Sequence, residues 1–253
     1  MLSSRRQRIV DLTLPIEGGM AGIPTVPFYS RYPVTVQAVT VIDEAQRAFL
    51  RAQGVDVAAD AEARGVMNTV FTLNSHIGTH IDAPRHFVGE GAAVDEVPLE
   101  GLVVREAVVL DLSHKGPGAA ITADDLAATG VRPAPGQIPV IKTLWTDRAW
   151  GTQELFWQQM IYLDPSVGGW IANHDVPAVA MDCFPEKAWW RVPMTPAERA
   201  INHKTWLGRG ITMIQFLTNL AALGDHFTLI ALPLRLRGMD GSPARVVGIA
   251  PAS

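Results

Sequence analysis

Short apolar runs rich in β-branched residues recur along the whole chain, and they constrain its fold more than any other feature. Runs of this kind, bounded by glycine, proline and polar residues, are typical of β-strands. We predict eight strands, at residues 8–14, 33–41, 67–74, 102–112, 138–143, 176–182, 227–234 and 244–249. Because helix-like segments separate several of the later strands, the pattern predicts an α/β fold.

Helix signals are clearest in the second half of the chain. Residues 122–129 have a capping threonine at their start. Residues 195–208 begin with Thr195 as N-cap, and Glu198 completes a capping box. The apolar stretch ITMIQFLTNLAAL, residues 211–223, is also interpreted as a helix. Helices and strands therefore alternate in this half.

Residues 43–64 interrupt the strand pattern of the first half with alanine, charged residues and other helix formers. We interpret them as an inserted helical hairpin or lid; the alternative is a solvated helix with no part in binding. No proline-, glycine- or serine-rich linker divides the chain. We therefore predict one domain over residues 1–253.

The composition indicates a packed protein that acts on small molecules. Hydrophobic residues make up 48% of the chain and charged residues 18%, with a formal net charge of -4. No basic stripe is available to bind nucleic acid, and no apolar run reaches the roughly 18 to 20 residues that span a bilayer. We therefore expect the protein to bind neither nucleic acid nor a membrane. Asp11 and Pro15 interrupt the apolar region that a signal peptide would need. With Cys183 as the single cysteine, no internal disulfide can form, and we expect a cytoplasmic protein.

The segment SHIGTHIDAPRHF, residues 75–87, concentrates metal-binding side chains. Three of the seven histidines, His76, His80 and His86, lie within eleven positions together with Asp82. Imidazole and carboxylate groups suit zinc, manganese or iron, and two histidines with one carboxylate leave coordination positions open. If the segment is extended, His80 and Asp82 project to the same side. His76 could join them across a turn, while His86 is either a ligand of a second metal or a proton-transferring group.

Other histidines and the tryptophans carry weaker signals. His114, His174 and His226 have no clustered partner in sequence, and we predict ordinary hydrogen-bonded roles for them. All seven tryptophans fall at or after residue 145. Core packing accounts for most of them, but they also favour an aromatic-walled pocket for a planar substrate.

The motif HIGTHIDAPRH resembles the H-x-G-T-H-x-D-x-P-x-H motif of the cyclase-like metal-dependent hydrolases, the family that includes bacterial kynurenine formamidase and isatin hydrolase. Residues 11–20, 178–182 and 232–247 are similar to the family's opening, central strand and closing hairpin. The resemblance implies a single compact domain, with a mixed, barrel-like β-sheet flanked by helices, of the swivelling β/β/α type. It also implies a homodimer or homotetramer that hydrolyses amide or ester bonds.

By this resemblance His76, His80 and Asp82 bind the catalytic metal. Downstream, the family carries a histidine and, twelve residues later, an acidic residue in a helical segment that helps to hold a second zinc. This chain has His203 and Gln215 at that spacing. An amide lacks the negative charge that helps two divalent cations coexist.

We therefore expect one divalent ion per chain, Mn²⁺ or Zn²⁺, and no second ion at His86, His203 and Gln215. These three residues are instead predicted to be catalytic and to orient water and substrate. His86 is our choice of general base, with His203 as the alternative. The other interpretation of Gln215 and His203 is that they are polar residues with ordinary hydrogen bonds. No other cofactor is expected.

The expected function is hydrolysis of a small cyclic amide, lactone or aryl amide by metal-activated water, with isatin-like ring opening favoured. One alternative is hydrolysis of N-formylkynurenine. A second is a noncatalytic protein that sequesters an aromatic ligand. A third is that the histidine cluster binds a metal ion that only stabilises the fold.

Overall fold

A computed structural model describes residues 7–22, 31–40, 44–55, 67–188, 190 and 192–251. The strands are β1 (Gln7–Asp11), β2 (Thr35–Thr40), β3 (Met67–Thr72), β4 (His80–Asp82), β5 (Arg105–Asp111), β6 (Ala120–Ile121), β7 (Ile138–Lys142), β8 (Tyr162–Leu163), β9 (Ala178–Met181), β10 (Thr212–Gln215), β11 (His226–Pro233) and β12 (Gly241–Pro251). The α-helices are α1 (Glu44–Ala52), α2 (Ala123–Ala128), α3 (Trp145–Ala149), α4 (Gln153–Gln158), α5 (Ser166–Ala172) and α6 (Ile201–Leu207), and short 3-10 helices lie at Pro84–His86, Leu99–Gly101 and Leu220–Ala222. Strands occupy all eight predicted runs.

The main sheet closes on itself. Its order is β1-β12-β11-β5-β7-β9-β10-β4, and a further pairing between β12 and β4 joins the ends into a seven-strand ring with β1 attached outside. The pairs β5/β7, β7/β9 and β9/β10 are parallel, and the others are antiparallel. This mixed, barrel-like sheet with its flanking helices confirms the predicted α/β fold class.

The two faces of the closed sheet bury different apolar clusters. Every second residue of these strands points into the ring. Ile81, Val140 and Ile214 are examples, and they belong to one apolar cluster there. Their neighbours Met181 and Met213 face outward and pack with helix residues, including Trp206. Because side chains alternate along a strand, a residue next to Ile81 or Ile214 must point to this outer, helix-covered face.

A separate two-stranded sheet, β2 paired with β3, carries α1 in its connection. Helix α1 lies within the predicted 43–64 insertion and has no buried residue. Residue 43 and residues 56–64, which also belong to that insertion, lie outside the described residues. None of the described helices has the length and apolar character needed to cross a membrane.

The helix predicted over residues 211–223 is wrong. Residues 212–215 form β10, and the chain then turns through Phe216 and Asn219, both at positive φ. A strand that is buried on both faces reads as a continuous apolar run, which periodicity alone cannot distinguish from a helix.

The helix predicted over 195–208 is too long. Glu198 accepts from the backbone N–H of Thr195, which is half of a capping box, but the Thr195 hydroxyl also donates to Glu198 instead of accepting from its backbone N–H. The Glu198 N–H bonds the Thr195 carbonyl oxygen, and these bonds close only a local turn. Ala200 then adopts the left-handed conformation, with φ 54°, and α6 begins at Ile201. The helix predicted at 122–129 is confirmed, with Thr122 and Asp125 forming its capping box.

Candidate active site

The short strand β4 carries His80 and Asp82 to the outer face of the barrel. Ile81 between them packs inside the ring, so its two neighbours point together toward the helix-covered side. Both are buried, with Asp82 fully enclosed. The sequence-based expectation that these side chains share a side is confirmed.

The two motif histidines present different nitrogens to Asp82. His80 Nδ1 donates to the carbonyl oxygen of Gly78 at 2.8 Å, which leaves Nε2 to face Asp82 Oδ1 at 3.2 Å. Gly78 has φ +59°, and its turn brings back His76, whose Nδ1 lies 2.6 Å from the same oxygen. His76, His80 and Asp82 therefore converge as predicted.

Gln215 joins this group across the sheet. In the β10/β4 pairing it lies directly opposite His80, so both side chains project from the same face. Its amide nitrogen donates to Asp82 Oδ2. Helix α6 adds His203, whose Nε2 is 3.4 Å from that oxygen. The predicted residues His203 and Gln215 thus both contact the central carboxylate.

Burial and neighbouring charges shift the pKa values of four groups in the site, those of Asp82, His76, His203 and His86. Burial alone would raise the pKa of Asp82, but the adjacent imidazoles hold it well below its usual value. Burial opposes protonation of His76 and His203, yet the neighbouring carboxylates raise the pKa of His76 to about 10 and that of His203 to about 9. For His86, burial dominates and lowers the pKa to about 4.

Two acidic residues that the sequence analysis did not single out belong to the site. Glu186, almost fully buried, accepts from the backbone N–H of His203 at 2.9 Å and lies 3.0 Å from its Nδ1. Asp240 Oδ2 lies 2.8 Å from His76 Nε2 and 3.3 Å from His86 Nδ1. Asp240 falls within the 232–247 stretch used for the family resemblance, but a lone aspartate in a loop carries no local signal. Glu186 has none either.

The cluster forms one wall of a partly open pocket, the kind of concave site that small molecules occupy. Its other walls include the aromatic side chains of Phe87, Trp150, Trp157, Phe184 and Phe216. Trp145 and Trp206 are instead buried in the core, and Trp189 lies outside the described residues. The aromatic-walled pocket predicted from the tryptophans is therefore built by two of them, with three phenylalanines.

The donor set fits a divalent transition-metal ion. Ligand atoms of His76, His80 and Asp82 lie within 4.8 Å of one another, and each is a nitrogen or carboxylate oxygen of the type that Mn²⁺ or Zn²⁺ accepts. The second nitrogen of each imidazole already has an acceptor, which is the usual arrangement behind a metal ligand. A histidine binds a metal ion through an unprotonated nitrogen, so metal binding at His76 and His80 would compete with their protonation.

The remaining histidines lie apart from the pocket. His114 and His226 are exposed, and His226 contacts Glu106. His174 contacts the carbonyl oxygen of Trp170 through Nδ1 at 2.7 Å. These placements agree with the ordinary roles predicted for them.

Comparisons with known proteins point to one family. The family model described as "Putative cyclase" matches residues 10–185. The kynurenine formamidase of Geobacillus thermodenitrificans is 30% identical over 186 residues, which cover 73% of this chain and 81% of the relative.

Solved structures share the fold. An isatin hydrolase bound to the product analogue thioisatinate superposes with a TM-score of 0.78 at 20% identity, covering 97% of this chain and 93% of the other. A predicted metal-dependent hydrolase from Bacillus stearothermophilus gives a TM-score of 0.66 at 24% identity, covering 96% of this chain and 98% of the other.

Proposed function

The chain belongs to the cyclase family, and from this premise we propose that it is a metal-dependent hydrolase that opens a small cyclic amide or lactone, with an isatin-like ring favoured. The observation that carries the proposal is the convergence of His76, His80 and Asp82 on one wall of an aromatic pocket. In the reaction the ring C–N or C–O bond breaks, a water oxygen bonds to the carbonyl carbon, and the leaving atom takes a proton.

His76, His80 and Asp82 would hold one divalent ion, Mn²⁺ or Zn²⁺. Such an ion polarises a substrate carbonyl and lowers the pKa of water toward about 7. His86 is the proposed general base, since its ring lines the pocket and lies within the same cluster as Asp82 and His203. His203 and Gln215 are proposed to orient substrate and water from the opposite side of Asp82.

A second candidate is hydrolysis of N-formylkynurenine, favoured by the relative of 30% identity that bears the name kynurenine formamidase. The aromatic walls suit either substrate. Gln215 favours the isatin-like substrate, because the neutral amide removes a charge that a two-metal formamidase site would use.

A substrate panel tests the proposal. Purified, Mn²⁺-loaded protein is incubated with isatin, N-formylkynurenine and a set of imides, lactones and aryl amides, and products are followed by mass spectrometry. We expect ring opening of isatin, seen as the gain of one water, with a higher kcat/KM than for formylkynurenine. Intact substrates across the whole panel would favour a noncatalytic binding protein. Formylkynurenine as the better substrate would establish the second candidate.

Changing Gln215 to glutamate should raise the metal content. The new carboxylate would lie beside Asp82, His86 and His203 and supply the missing negative charge for a second ion. Elemental analysis should give one ion per chain in the unmodified protein and close to two in Gln215→Glu. Gln158→Glu, which adds the same charge outside the pocket, is the matched control and should keep one. Two ions in the unmodified protein would contradict the single-metal assignment.

We also propose that the protein is a homodimer or homotetramer. Support comes from apolar side chains on the β2/β3 sheet and next to it, since Val36 and Phe71 are more than half exposed and line a groove together with Leu232 and Leu234. Exposed apolar patches of this kind usually bind another protein surface. A light-scattering mass of a single chain would contradict this assembly.

The single, fully buried Cys183 supports a cytoplasmic location, which cell fractionation would test.

A further inference from the structure

We propose that Asp240 is a positioning residue that holds two motif imidazoles, those of His76 and His86, in the orientation and tautomer that metal binding and proton transfer need. The inference rests on the proposed function and extends it to a residue outside the histidine motif. One carboxylate oxygen, Oδ2, lies 2.8 Å from His76 Nε2 and 3.3 Å from His86 Nδ1. The other, Oδ1, accepts from the hydroxyl of Ser75 at 3.1 Å.

The main chain fixes this carboxylate in place. The Asp240 carbonyl oxygen accepts from the backbone N–H of Ala83 at 3.0 Å, and the next residue, Gly241, pairs with Asp82 where β12 meets β4. A Cβ atom at Gly241 would lie 2.8 Å from His76 Cε1 and 2.6 Å from the carbonyl oxygen of Ile81. Only glycine permits this close approach, so the loop that carries Asp240 lies directly against the His76 ring.

A shared acceptor decides which nitrogen of each ring is available. With its Nε2–H donating to Asp240, His76 directs Nδ1 toward the oxygen of buried Asp82, 2.6 Å away, on the side where a metal ligand is needed. With Nδ1–H donating to the same oxygen, His86 keeps Nε2 free to accept a proton. The two rings are 4.0 Å apart between centroids, so one carboxylate orients both.

Asp240 is unlike the proposed ligands in its surroundings. Its side chain is 41% exposed, whereas that of Asp82 is 1% exposed. Its contact with His76 is on the nitrogen opposite the one that faces Asp82. The geometry therefore assigns Asp240 a place behind the proposed ligand His76, as the acceptor of its second nitrogen, and not a place among the metal ligands.

Metal affinity tests the inference without reference to turnover. The dissociation constant of Mn²⁺ is measured by competition with a chelating dye for the unmodified protein, Asp240→Ala and Asp240→Asn. Loss of a carboxylate behind a metal-binding histidine typically weakens metal binding by about 10- to 100-fold, which we expect for Asp240→Ala. Asn retains one acceptor oxygen and should recover most of the affinity.

Asp95→Ala is the matched control. Asp95 Oδ1 accepts from the backbone N–H of Gly238 at 2.8 Å and anchors the same loop without touching either histidine. Asp95→Ala should bind Mn²⁺ with the affinity of the unmodified protein, and the metal-free forms of all variants should have similar unfolding temperatures. Equal weakening in Asp95→Ala and Asp240→Ala would overturn the inference, because loop packing would then account for the effect.

A double-mutant cycle tests the contact with His86. At saturating Mn²⁺ and with the best substrate of the panel, Asp240→Ala should still lower kcat by about 10-fold or more, but should have little further effect in a His86→Ala background. Unchanged Mn²⁺ affinity in Asp240→Ala would overturn the role at His76. Fully additive losses would overturn the role at His86. If no substrate is hydrolysed, the affinity measurements still decide the first question, and the proposed function fails separately.

Discussion

Replacement of Asp82 by alanine is expected to abolish turnover while the chain still folds. Asp82 is fully buried, and its two oxygens contact His76, His80, His203 and Gln215. Without it the proposed site loses its only anionic ligand and the group that orders all four neighbours. We expect kcat/KM to fall by about 10³-fold or more, because bound metal contributes several kcal/mol to transition-state stabilisation. His80→Ala should have a similar effect, since it removes the ligand nitrogen that Gly78 orients.

The measurement combines kcat/KM on the best substrate with metal content by elemental analysis. Asp82→Asn retains the shape of the side chain and separates loss of the ligand from loss of packing. His114→Ala, an exposed histidine outside the pocket, is the control and should match the unmodified protein. If Asp82→Ala keeps its metal and more than about a tenth of the activity, the metal site lies elsewhere, since that loss is only about 1.4 kcal/mol.

Removal of the metal should be as damaging as loss of a ligand. After dialysis against a chelator and then metal-free buffer, we expect hydrolysis to fall below about 1% of the starting rate, because the described residues that line the pocket include no serine, threonine, cysteine or lysine to attack in place of activated water. Mn²⁺ or Zn²⁺ should restore the rate at one ion per chain. Mg²⁺ and Ca²⁺, which prefer all-oxygen sites, should not.

The same titration separates catalytic from bracing metal. A cation that binds only the folded state raises its stability by about 2.7 kcal/mol at a free concentration 100 times its dissociation constant. Stability should therefore rise together with activity. A rise in unfolding temperature with no hydrolysis would support a metal that only braces the fold. Full activity in protein that elemental analysis finds free of metal would contradict the mechanism.

The sequence was sufficient to predict the strands and the core of the site. Runs of β-branched residues marked every long strand, and the spacing of His80 and Asp82 required a common side once that segment was extended. The location of Gln215 beside them was predicted only through the family resemblance. Its strand was mistaken for a helix, because β10 is buried on both faces and has no alternating pattern.

Asp240 and Glu186 could not be predicted for a different reason. Each reaches the site through a long-range pairing, Asp240 because β12 pairs with β4 and Glu186 because it meets the start of α6. Neither pairing has a local pattern in the residues themselves. Side chains that approach a site from distant parts of the chain become visible only once the sheet order is known.

Closure of the barrel also dictates when the site can be assembled during synthesis. Strand β4 is flanked by β10 and β12, both of which belong to the last quarter of the chain. The histidine motif therefore leaves the ribosome long before either neighbouring strand exists, and its metal-binding geometry depends on contacts of high sequence separation, which form slowly. Nascent chains would carry these imidazoles without their final neighbours until β10 and β12 have been synthesised, so metal binding should follow the pairing of these strands.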